Sequence, residues 1–410
     1  MLLPEIIDCI ASNLSDKDKI SFISINKRLY EYRSFLRFNN FYVLSHIHKK
    51  PWANSFTRII YDCETKITLE NVTHLFRGRH VDSIDFSGLP RLKYLDAGRY
   101  SHDLPSLPEL THLIVSCNRI PNNLSKFPCL TNLKLFGILS HDTINFRFVK
   151  QERTINFINH SLTHLTLKDD FNTEINFSHL HGLTHIKFGR CFNKQINFSL
   201  LPHLTHLTIY GRAKIFLNLT SIICLRHLTL EGYFYLNKNI IFSNNASLTH
   251  LTLKCNIDLP INFRDFFNLI YLFLGSKYKH PIDLTLSSLT YLTIDQNQLI
   301  DLSNCLCLKH LTFGNNFCKL IKTALPQTIT HLSFGFNYDH PIKNILPHAL
   351  TNLTIGVTYF YPIIEIMPQS VSILNFVIHE HRYWALENLI KKSFAHSPIN
   401  INFIYKKLIY

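Results

Sequence analysis

No run of about 18 apolar residues occurs in the 410-residue sequence, and a membrane-spanning helix needs one. The first residues, Met1-Leu2-Leu3-Pro4-Glu5, carry no basic segment leading into an apolar one, so no signal peptide is expected. The ten cysteines are dispersed, and only Cys305 and Cys307 are close together. There is no C-x-x-C pair and no Cys/His cluster at zinc spacing, so no metal ligand is expected. The cysteines read as reduced thiols of an intracellular protein. Missing too are G-x-S-x-G, the P-loop, H-E-x-x-H and G-x-G-x-x-G. Acidic residues do not pair at any repeat-specific place. The expectation is therefore a non-enzyme with no catalytic residue and no cofactor. Acidic side chains are also scarcer than basic ones, 28 Asp+Glu against 42 Lys+Arg, a formal net charge of +14. A basic excess can attract nucleic acid or anionic membrane. Here no Lys/Arg run exceeds two residues, as at Lys49-Lys50 and Lys391-Lys392. Charge scattered in this way argues against both partners.

What the sequence has instead is a repeat. Leu162-Thr163-His164-Leu165-Thr166-Leu167 reads L-x-x-L-x-L, and near copies begin at Leu183, Leu204, Leu225 and Leu248. A fixed period in the twenties marks a solenoid, in which each unit buries its core against its neighbours. Taken from Val72 to Val371, the pattern makes fifteen units, mostly 18 to 23 residues apart. One interval, Leu130 to Leu162, is longer and reads as an insertion that leaves the stack unbroken. Phe56 to Tyr61 already has the spacing and can start the array as a capping strand.

A second signature follows the strand: apolar, Gly, two free positions, aromatic, then Ile, as in Phe188-Gly189 through Phe192 to Ile196. The Gly is expected to supply a turn conformation closed to other residues. About ten residues remain for each return, too few for an α-helix with its turns, so extended or 3₁₀ pieces are predicted. The fold class is thus a mainly β repeat solenoid, leucine-rich-repeat-like, with a parallel β-sheet and short non-helical or 3₁₀ returns.

Strand alternation turns the leucines inward and the residues between them outward. His164, His185, His206, His227 and His250 should then stack as a ladder on one face, with Tyr271 and Tyr291 continuing it before His310 and His331. A linear ladder does not converge on a point as metal ligands do. It can be a pH-sensitive face or a surface residue copied with the repeat. Fifteen strands make a face on the order of 70 Å long, large enough for a protein partner. Specificity is expected where the rungs differ, as at Lys168, Tyr210, Glu231, Tyr271, Tyr291 and Asp295.

Residues 1–40 do not fit the repeat. Ile6, Ile7, Ile10 and Leu14 are spaced for one helix face. Ser15 or Asp16 can cap a second helix carrying Ile20, Phe22, Ile23 and Leu29, and a third can hold Phe35, Leu36 and Phe38. The stretch Leu3-Pro4-x-Ile6-Ile7-x-x-Ile10-x-x-x-Leu14-x-x-x-Asp18 resembles an F-box. That resemblance implies docking on a Skp1-type adaptor, and through it on a cullin, by Leu3, Pro4, Ile7, Ile10, Leu14 and Asp18. The alternative is a set of helices that only caps the array. Residues 41–71 read as a junction and N-terminal cap, and 72–378 as the solenoid. In 379–410, Trp384 to Phe394 suggests a helix and Ile399 to Tyr405 a strand, together a C-terminal cap.

The pairing of S-L-T-H-L-x-h with h-G-x-x-[FY]-N-x-P-I, as at Leu274-Gly275 through Tyr278 to Pro281-Ile282, resembles FNIP repeats. These are leucine-rich-repeat-like units of social amoebae and amoebal giant viruses that often follow an F-box. The resemblance implies a substrate-recognition adaptor of an Skp1–cullin–F-box ubiquitin ligase, its repeat face holding a target protein. It would act in the cytoplasm, the host's for a viral chain. A plain protein-binding solenoid is the alternative.

Overall fold

The leucines of the repeat lie where their spacing puts them. In the computed structural model, which describes residues 7, 10–25, 29, 36–49, 53–62, 69–78, 84–98, 102–116, 124–137, 154–211, 217–232, 240–241, 247–257, 260–298, 300–356, 359, 361–379, 384–395 and 397–406, Leu162, Leu165 and Leu167 are at most 1 % exposed. Every L-x-x-L-x-L copy from Leu162 onward has its leucine-type positions buried in the same way. The chain forms two compact units, Met1–Leu201 and Pro202–Tyr410.

The first unit carries parallel strands at Phe38–Val43, Phe56–Tyr61, His74–Arg77, Tyr94–Gly98, His112–Ser116, Asn132–Phe136, His164–Leu167 and His185–Phe188, each paired with the next. Asn132 pairs directly with His164, so the stack crosses the long interval after Leu130 without a break. The body of that interval, 138–153, lies outside the described residues. The second unit runs through His206–Gly211, His227–Gly232, His250–Cys255, Tyr271–Leu274, Tyr291–Ile294, His310–Phe313, His331–Ser333, Asn352–Gly356, Ile373–His379 and Asn400–Lys406, again each beside the next and in register. This is the expected β-solenoid with a parallel sheet.

A recurring turn precedes the strands. The N–H of Leu183 donates to the Leu180 carbonyl (3.1 Å), that of Leu225 to Ile222 (3.2 Å) and that of Leu269 to Phe266 (2.9 Å). The residue three before each leucine is therefore buried, while the two between face outward. The returns are short extended pieces, such as Ile155–Asn156 against Ile175–Asn176, and single 3₁₀ turns at Phe198–Leu200 and Phe263–Asp265. Asn197 and Asn262 cap those two turns by accepting the N–H two residues on.

One expectation is corrected. The Gly after each strand does not serve a left-handed turn: positive φ among the described glycines is confined to Gly98, Gly211 and Gly232. At Gly189 the cause is close approach. A Cβ there would collide with the carbonyl of Lys168 in the preceding strand's exit, and one at Gly335 would collide with the carbonyl of Gly314. The neighbouring repeat, not the backbone angle, excludes a side chain.

At the N-terminal end, Ser15 caps the helix Asp16–Ile23: its hydroxyl accepts the Asp18 N–H (3.2 Å) and donates to the Asp18 carboxylate (2.6 Å). Phe38, read from sequence as part of a third helix, instead begins a strand. There its ring packs on Phe56 at 5.1 Å and its side chain is fully buried. Pairing with the next strand outweighs local helix propensity. At the other end lie the expected helix, Trp384–Ser393, and strand, Asn400–Lys406, which pairs with Ile373–His379.

Candidate functional site

The sheet's outward face is a row of rings seated on threonines. In the first unit His74 lies beside Tyr94 (5.5 Å between centroids), Tyr94 beside His112 (5.9 Å), and His164 stacks on His185 (4.1 Å, 13° between planes). In the second, His206, His227 and His250 stack at 4.1 Å intervals. Tyr271 and Tyr291 follow, and Tyr291 stacks on His310 (4.2 Å, 8°), which meets His331 at 4.2 Å. The register His206↔His227↔His250↔Tyr271↔Tyr291↔His310↔His331 enforces the stacking, because strand spacing is close to ring thickness plus contact.

A threonine before most of these histidines holds the ring, a role the sequence did not reveal; His227 and His310 follow Arg226 and Lys309 instead. Thr163 Oγ lies 2.8 Å from His164 Nδ1 and 3.2 Å from the Thr131 carbonyl. That carbonyl already accepts two N–H groups, from Thr163 and His164, both at 2.9 Å. The Thr163 hydroxyl donates to that same carbonyl and sits against Nδ1, so it bridges the ring to the backbone of the preceding strand. Thr184–His185, Thr249–His250 and Thr330–His331 repeat the arrangement at 2.8–2.9 Å. The signal available in the sequence was the recurrence of Thr-His as a pair.

Burial pushes the imidazoles of His74, His164, His185, His250 and His310 below the ordinary histidine value. Neighbouring cations add to this: Arg58 and His112 at His74, His164 at His185, and His331 and Lys309 at His310. The rings lie face to face and do not converge. Among the described residues no group of three His, Cys, Asp or Glu side chains could hold a metal ion.

Beyond the rings, the rungs differ. Tyr210, Glu231 and Lys254 share one register position, and the Lys254 ammonium sits 4.8 Å over the Phe273 ring. Lys168 lies beside Phe136, 5.7 Å from its ring centre. Asp295 is half-buried and engaged with the next repeat: it accepts the Asn316 N–H and the Asn316 side-chain amide, each at 3.0 Å. Asn172, Asn297 and Asn315 bridge in the same way, accepting the N–H of Asn193, Cys318 and Phe336. The turn asparagines thus tie repeat to repeat.

Of the N-terminal candidates, Leu3 and Pro4 lie outside the described residues. Ile7 is buried, Leu14 half-buried and Ile10 exposed, and Asp18 is exposed and bonded to Ser15. Sequence reasoning missed Asp16 here. It is 5 % exposed and accepts the N–H groups of Asn39 (3.1 Å) and Asn40 (2.7 Å) and the Tyr42 hydroxyl (3.1 Å). Burial, with the Asp16 charge adding to it, pushes the Tyr42 phenol up to about 12. Lys19 lies 3.5 Å from Asp16 and donates to the Arg37 carbonyl (2.7 Å). A pocket between Ile84–Leu92 and Asp103–Glu109 is lined mainly by apolar residues, with Asp85, Asp103 and Glu109 among them. No helix among the described residues is long and apolar enough to cross a membrane.

Residues 307–337 match the family model described as FNIP Repeat. A putative F-box and FNIP repeat-containing protein of Acanthamoeba polyphaga mimivirus is 44 % identical over 48 residues, which is 12 % of this chain and 16 % of that protein. A solved structure described as a novel circular LRR protein, CroV588, aligns over 86 % of this chain and 60 % of its own, at 22 % identity and a TM-score of 0.45. The functional domain of InlJ from Listeria monocytogenes aligns over 83 % and 73 %, at 14 % identity and a TM-score of 0.40.

Proposed function

We propose that this chain, an FNIP repeat protein, is a non-enzymatic adaptor that holds a target protein on its ring face and presents it to a ubiquitin ligase through its N-terminal helices. The observation that carries the ligase half is the surface of those helices. Ile10, Ile20 and Ile25 are 38, 43 and 69 % exposed beside the exposed Asp18, while Ile7, Ala11 and Ile23 are buried. Apolar side chains left outward on a small helical unit are what a docking partner covers. The name of the mimivirus relative, with its F-box, points the same way, as do Leu3 and Pro4 at the head of the motif. The partner is a Skp1-type adaptor, with a cullin behind it. The target-holding half rests on the long regular face, whose rungs vary at Lys168, Tyr210, Glu231, Tyr271 and Tyr291.

The test is co-precipitation with a Skp1-type protein. The full chain should retain it. A variant carrying Leu3→Ala, Pro4→Ala and Ile10→Ala should lose it while its circular dichroism stays that of the parent. No retention by the full chain, or undiminished retention by the variant, defeats the ligase reading. The second reading is a binding solenoid whose helices serve only as a cap. What favours it is the buried Asp16 network fastening the second helix to the strand Phe38–Val43.

A further inference from the structure

The turns that lead into the strands of the second unit alternate between two kinds. Three of them share one bond: the Leu225 N–H donates to the Ile222 carbonyl (3.2 Å), that of Leu269 to Phe266 (2.9 Å) and that of Leu308 to Cys305 (3.1 Å). In these turns the residue after the buried one is large, apolar and exposed. Ile223 is 69 % exposed, Phe267 59 % and Leu306 68 %. The turns between them carry serine. Ser247 Oγ donates to the carbonyls of Ile223 (2.7 Å) and Leu225 (2.8 Å), and Ser288 Oγ to those of Phe267 (2.7 Å) and Leu269 (2.9 Å). These bonds seat each small turn against the large one before it. The alternation reaches one row further. Three residues after each apolar knob come Arg226, Ile270 and Lys309, all exposed, where the neighbouring repeats carry Thr249, Thr290 and Thr330.

The register His227↔His250↔Tyr271↔Tyr291↔His310 sets successive knobs two strands apart. At about 4.8 Å per strand they repeat every ~9.6 Å. That interval discriminates between ligands. On an extended segment, side chains of one face lie about 6.7 or 13 Å apart, and neither distance fits. On an α-helix, residues seven apart share a face at about 10.5 Å, a mismatch of only about 2 Å over both intervals. A polyproline helix matches at every third residue, about 9.3 Å. It is a narrow rod, however, and this surface is two rows wide, with Ile270 behind Phe267. An amphipathic helix lays a stripe of i, i+3 and i+7 residues across both rows. The charges then select its composition. Arg226 and Lys309 stand on either side of the apolar centre, four strands or about 19 Å apart. Acidic residues about 13 positions apart on a helix meet both. A second copy of this chain fits badly. Whichever way two such ridges faced each other across a two-fold axis, cation would meet cation.

We propose that Ile223, Phe267 and Leu306, flanked by Arg226 and Lys309, dock an acidic amphipathic helix of a partner protein along the turn edge of the sheet. The helix sets apolar side chains seven residues apart into the gaps between the knobs, over the serine turns. It covers Ile270 and brings a carboxylate to each of the two cations. This surface lies beside the ring face and does not depend on it.

The experiment uses the full chain and a labelled helical peptide of about 18 residues, long enough to span the three knobs. It carries leucines seven apart, with a second leucine three after each, in a Glu/Ala background. Binding is read by fluorescence polarisation. A scrambled peptide of the same composition and a twin with Lys for Glu serve as comparisons. The acidic peptide should bind at least about tenfold more tightly than either, the scale of losing one buried anchor. Phe267→Ser should reduce its binding to the level of the scrambled peptide. Its circular dichroism and urea midpoint should stay those of the parent, because the ring is exposed. Leu320→Ser, at an apolar residue 40 % exposed on a return, should leave binding unchanged. R226E/K309E should reverse the preference, so that the Lys twin binds more tightly than the Glu peptide. Equal binding of the scrambled peptide, undiminished binding by F267S, equal loss in L320S, or no binding at millimolar peptide overturns the site. So does tighter binding of a polyproline peptide, or of anionic vesicles, through Phe267. Self-association in light scattering that F267S abolishes assigns the ridge to a second copy and overturns the helix. F267S should leave retention of a Skp1-type protein unchanged, so the ligase reading and this surface stand or fall separately.

Discussion

His74, His112, His164, His185, His206, His250 and His331 each have the hydroxyl of the preceding threonine against Nδ1. Burial holds the imidazoles of His74, His164, His185, His250 and His310 below the ordinary histidine value. The unfolded chain, with histidines near 6.5, binds more protons than the folded one between that value and the lower folded ones, so stability rises with pH across this window. Urea midpoints should therefore be flat above pH 7 and fall as the pH drops below about 6.5. A His164→Gln/His185→Gln chain should fall less. An acid-insensitive midpoint in the parent would falsify this account of the rungs. Gly189 gives the second expectation at this scale. Gly189→Ala should cost about 1 to 3 kcal/mol in equilibrium unfolding, because its Cβ meets the Lys168 carbonyl and the strands must separate to admit it. A loss no larger than that of an exposed Gly→Ala change would show that the neighbouring repeat yields. The sequence made the histidines visible as a period but not the bond that orients them. The threonine that makes it is itself bonded to a carbonyl one strand back, a contact between repeats. The glycine was visible too, yet its cause was misread, since a close approach between repeats leaves no mark in the local residue pattern.

Elements in this chain are specified by what they pack on as much as by their own residues. The strands were legible because three leucine-type positions recur at fixed offsets and because alternation then decides the outward face. Phe38 was not: an aromatic near Leu36 fits a helix pattern equally well, and only the strand at Phe56 decides it. Asp16 was legible as a cap and serves as something else. Ser15 caps the helix, while Asp16 turns inward and satisfies two N–H groups and a hydroxyl of the strand Phe38–Val43. Replacing it by Ala leaves those donors without their acceptor and Lys19 without its ion-pair partner, a loss of about 2 to 3 kcal/mol for this junction. The expected result is local. Hydrogen exchange in Asp16–Ile23 and in Asn39–Tyr42 should quicken, while amides of the strand His164–Leu167 keep their protection, because a solenoid unit couples mainly to its neighbours. Uniform loss of protection across both regions would mean that the N-terminal helix and the array unfold as one.

In the second unit the strand Ile373–His379 is followed by the last helix and paired with the last strand. The strand Ile373–His379 carries Phe376, Val377 and Ile378, all buried, and its free side is covered by Asn400–Lys406 in continuous register. Side chains reinforce the join: Asn402 donates to Asn375 (3.1 Å), which donates to Thr354 (3.1 Å), so an amide ladder runs into the closing strand. The helix Trp384–Ser393 is tied in by Glu387, which accepts from Lys391 and from the Tyr405 hydroxyl, both at 2.7 Å. Lys391 in turn lies over the Phe403 ring at 5.3 Å. Removing residues 380–410 should uncover an apolar strand edge with a full row of unpaired N–H and C=O groups, the geometry that templates pairing between chains. The truncated chain should elute as oligomers or aggregate in size-exclusion chromatography with light scattering, at concentrations where the parent keeps its mass. Lysine placed at Val377 in the truncated chain should partly restore the parent's elution, since a charge on an edge strand opposes that pairing. If the truncated chain keeps the parent's association state and unfolds at the same urea concentration, the last helix and strand are dispensable as a cap. The edge of Ile373–His379 must then be protected by its own side chains.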